Sequence, residues 1–317
     1  MNKHIEDLQI RYVKLHFTLE IMENGNLPRS KSSALRGGMG HVLLAANCIR
    51  DGNCGKCDFS EDCLVRRMMY PEMKIRPEFM KTQDSEGFII ECEDSRTSFC
   101  EGDELKFNLL LFGRTIVYFN QYLNAFYYFG MQGIGAEHVR FQISKVTNTR
   151  GEVLVEGTSV FKERYIVMTV SDYVRYRFTS ADARKVLKTG RCRMIFHSPL
   201  SLKHNSEFQN SFLPEALMAA IDRRILIMNL YEGHGDYEQS GMAWKDKTLP
   251  ALLSEKVWSE KVQRYSGTQR SKVTFNGIRG WCDLGDVDEN VLVMLLAGEL
   301  LHIGKNTSFG FGKYTVV

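Results

Sequence analysis

Gly298-Glu-Leu-Leu-His302-Ile-Gly304-Lys305-Asn-Thr-Ser-Phe-Gly310-Phe-Gly312-Lys313-Tyr-Thr-Val-Val317 closes the chain, and its reading decides the fold. Val291 to Leu301 is an apolar run of helical character. A basic loop spaced by glycines follows over residues 304–312, and β-branched residues then predict a final strand. Glycines let a backbone approach a partner with no Cβ in the way. Successive N–H groups in such a loop can cradle a phosphate, and Lys305 and Lys313 add positive charge on either side.

Outward from this tail, the second half predicts a strand at 191–196, an amphipathic helix at 214–231 and strands at 262–265 and 272–280. The first half has the same outline. Alternation predicts a strand over 9–21, periodicity a helix over 31–48, and strands follow at 87–91 and 105–112. An aromatic-laden helix at 115–128, the glycines of Gly130-Met-Gln-Gly133-Ile-Gly135 and a strand at 139–146 complete it. Strand, helix, strands, helix, glycine loop, strand, occurring twice, suits an α+β chain of two tandem ferredoxin-like domains. The polar, non-periodic stretch 171–185 sets the expected division, residues 1–175 and 176–317.

At 317 residues the chain has room for two cores. Its 44% hydrophobic and 25% charged residues are those of a folded protein. A net charge of +3 does not by itself mark a binder of polyanions, so local clusters must carry that signal. Six Lys/Arg and no acid lie between Arg184 and His204, Arg191 and Arg193 among them. Five more, Lys272 among them, lie between Lys261 and Gly280, interleaved with Tyr265 and Phe275. Cations with aromatics offer phosphate contacts and stacking platforms for unpaired bases. No acidic spacing suggests a two-metal nuclease.

No apolar stretch approaches membrane-spanning length, and the N-terminus has no run of signal-peptide type. Eight cysteines in such a chain argue for reduced thiols or a metal site in a cytoplasmic protein. Cys48, Cys54, Cys57 and Cys63 have the spacing C-x5-C-x2-C-x5-C, a metal loop inserted in the first domain. Zinc, the commoner structural metal, is preferred to an iron–sulfur cluster.

Four stretches resemble the CRISPR repeat-processing endoribonucleases of the RAMP superfamily. They are Leu35-Arg36-Gly37-Gly38-Met39-Gly40-His41, Leu111-Phe112-Gly113-Arg114 with Gly133-Ile-Gly135, Phe196-His197-Ser198-Pro199-Leu200, and the terminal loop. The resemblance implies RRM-like domains and cleavage of CRISPR repeat RNA without a catalytic metal. In that reaction a ribose 2′-hydroxyl attacks the adjacent phosphate, leaving a 2′,3′-cyclic phosphate and a 5′-hydroxyl. It points to His41 as the catalytic histidine, with His302 second and His197 third. Arg36, Arg191, Arg193, Lys272, Gly304, Lys305, Gly310, Gly312 and Lys313 become the expected RNA contacts. A homodimer is compatible with the reading. The rival is a non-cleaving RAMP subunit that binds guide RNA within an effector complex.

Overall fold

The computed structural model describes residues 3–50, 52–71, 73, 75–77, 79–80, 87–205, 207–233, 249–266 and 271–317. Arg11–Ile21 is the central strand of the first sheet. It pairs antiparallel with Glu104–Phe112 on one side and Phe141–Thr147 on the other, and Phe88–Glu91 adds beyond Glu104–Phe112. The spatial order is therefore fourth, first, third, second, the ferredoxin-like arrangement. Short strands Val153–Glu156 and Ser159–Val160 extend the edge beyond the fourth.

Helices Lys31–Asn47 and Phe119–Gln132 cover one face, where Val13, Leu15, Phe17 and Leu19 meet Leu35, Met39 and Phe126. The aromatic load of the second helix is used here. Phe17 stacks on Phe107 at 4.7 Å between ring centroids, and Phe107 meets Phe126 at 4.9 Å.

The second sheet repeats the order. Cys192–Leu200 lies between Tyr314–Val316 and Ser271–Gly285, and Ala251–Ser266 forms the outer edge. Cys192, Met194 and Phe196 enter the core beneath helices Pro214–Glu232 and Glu289–Leu301. Arg193, Ile195 and His197 alternate onto the opposite face, as the period of two requires. The sequence predicted only 262–265 and 272–280 here; the strands are far longer because alternating charged residues keep the outer hairpin solvated without ending it.

The two domains share apolar core. Tyr12, Ile89, Leu110 and Phe112, on the far face of the first sheet, join Ile221 and Tyr231 of the second domain in one cluster. Pro214–Glu232 is consequently buried around most of its circumference and not on one stripe. The polar stretch at 171–185 is no linker. It contains helices Val170–Phe178 and Ala181–Thr189, the first opened by a capping box between Thr169 and Asp172. Val170 and Val174 enter the shared core, so a division at residue 175 would fall inside a helix. The polar faces of these short helices hid their periodicity; Arg175 pairs with Glu6 and Arg177 with Glu299.

Candidate nucleic-acid interface

A cleft of about 2630 Å³ runs between the domains. One wall is the glycine-bearing face of Lys31–Asn47, and the other includes the terminal loop and the long hairpin. His41 is exposed on the first wall, one turn beyond Gly37. A Cβ on Gly37 would meet only open space. Gly38 answers to packing instead, since a Cβ there would fall 2.0 Å from the Phe129 ring. Close approach of a ligand is therefore open to the Gly37–His41 face and not to the whole helix.

The glycines of the terminal loop are required by the loop's own packing. Gly304, Gly310 and Gly312 have φ of 91°, 80° and 74°. A Cβ at each would lie 2.3 Å from the Ser201 oxygen, 2.5 Å from the Ile90 oxygen and 1.9 Å from the Ile303 oxygen. These glycines let the loop fold against the protein's own backbone, while Gly304 and Gly310 still line the cleft and Gly312 does not.

His302, expected as a second catalytic histidine, is corrected by its placement. It is 0% exposed, its Nδ1 lies 2.9 Å from the Phe311 carbonyl oxygen, and its Nε2 lies 2.9 Å from Glu91 Oε1. With both ring nitrogens engaged and no solvent access, it holds the loop and cannot reach a substrate. Glu91 is the centre of the arrangement. Its Oε2 accepts from Asn108 Nδ2 at 2.7 Å and faces the ammonium groups of Lys14 at 3.1 Å and Lys313 at 3.3 Å. Burial alone would push the Glu91 carboxyl up, but the His302 hydrogen bond and the two lysines hold it well below the usual carboxylate range. Lys313 also pairs with Glu93 at 2.7 Å. Burial disfavours its charge, yet the two carboxylates keep its pKa above the ordinary lysine value. Lys313 is thus a domain clamp and no free phosphate contact.

The remaining expected contacts divide. Arg36 lines the cleft, with its guanidinium 4.1 Å from the Phe309 ring centroid, and Lys305 is exposed there. Arg191 and Arg193 lie outside the cleft. Arg193 donates to both carboxylate oxygens of Asp283, at 2.7 and 2.9 Å, and covers the Trp281 ring. The side chain of Lys272 lies outside the described residues. His197 lines the cleft half-buried, Nε2 2.9 Å from Thr315 Oγ1; burial pushes its pKa down and Glu93 opposes this. Sequence reading missed Arg223, which is half-buried in the cleft wall. Burial pushes its pKa below the ordinary arginine value, with Asp222 acting the other way. The available signal was the Arg223–Arg224 pair interrupting an apolar helix.

Cys48, Cys54, Cys57 and Cys63 line one pocket of about 210 Å³ at the C-terminal end of the His41 helix. The Gly52 N–H donates to Cys48 Sγ at 3.1 Å. The donor set suits zinc or an iron–sulfur cluster. As placed, however, the thiols do not converge: among the described residues no three His, Cys, Asp or Glu side chains form a group that could hold a metal ion.

Comparison with known proteins accords with this geometry. Residues 9–168 match a family described as the AF_1859 N-terminal domain. An uncharacterized protein of Archaeoglobus fulgidus is 22% identical over 295 residues, 92% of this chain and 93% of its own length. Residues 194–314 match the CRISPR-associated endoribonuclease Cas6. The first half of the chain thus belongs to the AF_1859 N-terminal-domain family, and the second half matches the Cas6 endoribonucleases. A Cas6 structure from Thermus thermophilus superposes with a TM-score of 0.50 over 97% of this chain and 99% of that one, at 10% identity. The Cas6 fold recurs in a partial Cas6-RT-Cas1–Cas2 complex, with a TM-score of 0.58 and 11% identity; 97% of this chain is covered, but it spans only 46% of that one. At such identities these likenesses speak for the fold alone. Among the described residues, no helix is long and apolar enough to cross a membrane.

Proposed function

We propose that this protein cuts precursor CRISPR RNA within its repeats without a catalytic metal. The observation that carries the reading is an exposed histidine on a glycine-opened helix face, looking into a large cleft bordered by Arg36, Arg223, Arg279 and Lys305. In the reaction the ribose 2′-oxygen bonds to phosphorus and the bond from phosphorus to the 5′-oxygen breaks. One proton leaves the 2′-hydroxyl and one is delivered to the departing 5′-oxygen. Histidine suits both transfers because its pKa lies near working pH. Arg36 and Lys305 supply positive charge to offset the negative charge that builds on the phosphoryl oxygens. The endoribonuclease match over the second domain favours this reading over a non-cleaving guide-RNA subunit.

The test is incubation of purified protein with its repeat RNA in EDTA. Cleavage is expected, with a 2′,3′-cyclic phosphate end, and a single 2′-deoxy substitution just 5′ of the cut should abolish it. Cutting of the deoxy substrate, or a strict need for magnesium, would refute the mechanism.

The cysteine loop has a structural part in this proposal. Cys48 caps the His41 helix, its N–H donating to the Leu44 carbonyl. A metal drawn into the pocket would gather the four thiolates and fix that helix end, contributing folding free energy directly. About one zinc per chain is expected by elemental analysis of freshly purified protein; a brown colour would mean an iron–sulfur cluster instead. Four freely titrating loop thiols with no bound metal in active protein would end the idea.

A further inference from the structure

Three features of the second sheet's helix-free face converge at the mouth of the cleft. Trp258, on the outer hairpin strand, is 49% exposed and lines the cleft. Arg279 is its direct cross-strand partner. The Arg279 guanidinium is tethered by Glu260 Oε2, 3.3 Å from Nη1 on the same hairpin. His197 follows on the next strand, with Thr315 beyond it. An indole, a fixed guanidinium and an imidazole thus form a row across three adjacent strands, with the Thr315 hydroxyl on the fourth.

An aromatic cluster stands on the same face further along the hairpin. Phe275 of the hairpin packs on Phe309 at 5.3 Å and Phe311 at 5.6 Å between centroids, and Arg36 of the His41 helix covers Phe309. A half-exposed indole beside cations, on the open face of an RRM-like sheet, matches what an unpaired base needs: a flat stacking partner with phosphate contacts to either side. A duplex, whose bases are already stacked, cannot use it.

We propose that an unpaired base of the RNA stacks on Trp258, with the adjoining phosphate held by Arg279. This rests on the reading that RNA occupies the cleft. It deepens that reading by assigning single-stranded RNA to the hairpin wall.

The experiment compares wild type, Trp258→Phe and Trp258→Ala in binding two probes at one fixed salt concentration. The probes are fluorescently labelled single-stranded repeat RNA and the same RNA annealed to its full complement. Trp258→Ala should weaken binding of the single strand by about fivefold or more, the lower end of base–aromatic stacking. Trp258→Phe should recover most of the loss, and duplex binding should not change. Thermal melting of the variants checks that they fold. Undiminished single-strand binding by Trp258→Ala, an equal loss with the duplex, or no recovery by Trp258→Phe would each overturn the assignment. If wild type cleaves repeat RNA and the alanine variant binds it unchanged, only the Trp258 subsite falls. If wild type neither binds nor cleaves, the RNA reading falls with it.

Discussion

His41→Ala should slow single-turnover cleavage of repeat RNA by about 10²-fold or more while leaving RNA affinity nearly unchanged. Removing a positioned general acid or base typically costs about 10²–10⁴ in rate. On the proposed reading, binding is spread over several cations of the cleft and does not depend on one imidazole. His41 is exposed on a surface helix, so its truncation should cost little stability. Rate and stability are therefore separable at this position. The comparison that decides the assignment is with His197, the other histidine of the expected set that lines the cleft. If His41→Ala cuts at the wild-type rate and His197→Ala does not, the principal proton carrier sits on the second domain. His302→Ala is not a clean control, because its effect would come through the loop that it holds.

The fold was largely legible because the central strands alternate over much of their length and the covering helices carry long apolar runs. Val13, Leu15, Phe17 and Leu19 could be read as one buried face directly. What escaped was context between domains. Glu91, at the end of a short apolar strand, looks like an ordinary surface carboxylate until the fold brings Lys14, His302 and Lys313 to it. The terminal glycines show a complementary limit. Positive φ and close backbone approach were correctly implied by Gly304, Gly310 and Gly312, but sequence cannot say whether the approaching partner is a phosphate or the chain itself. Part of the first charge cluster left the cleft for a related reason: Arg193 has an acid opposite it on the neighbouring strand, 90 residues away in sequence. Runs of one sign along the chain are not runs of one sign across a sheet.

Glu91→Ala should destabilise the protein by ~3–5 kcal/mol, the usual cost of removing one partner from a buried ionic group. The carboxylate joins the first sheet to the terminal loop of the second domain. Without it Lys14, Lys313 and His302 would face one another with no countercharge at the centre, and the Asn108 amide would lose its acceptor. Urea unfolding reads the effect as a lower midpoint. Glu91→Gln keeps the shape but removes the charge, so it should fall between alanine and wild type. The pH dependence has a definite sign. A carboxyl held below its ordinary range in the folded state contributes stability fully above its unfolded value, about 4.3, and loses it as pH falls through the depressed folded value. The advantage of wild type over Glu91→Gln should therefore be complete near neutrality and shrink on acidification below that unfolded value. An alanine variant within about 0.5 kcal/mol of wild type, or an advantage that grows in acid, would show that the Glu91 cluster does not hold the domains together.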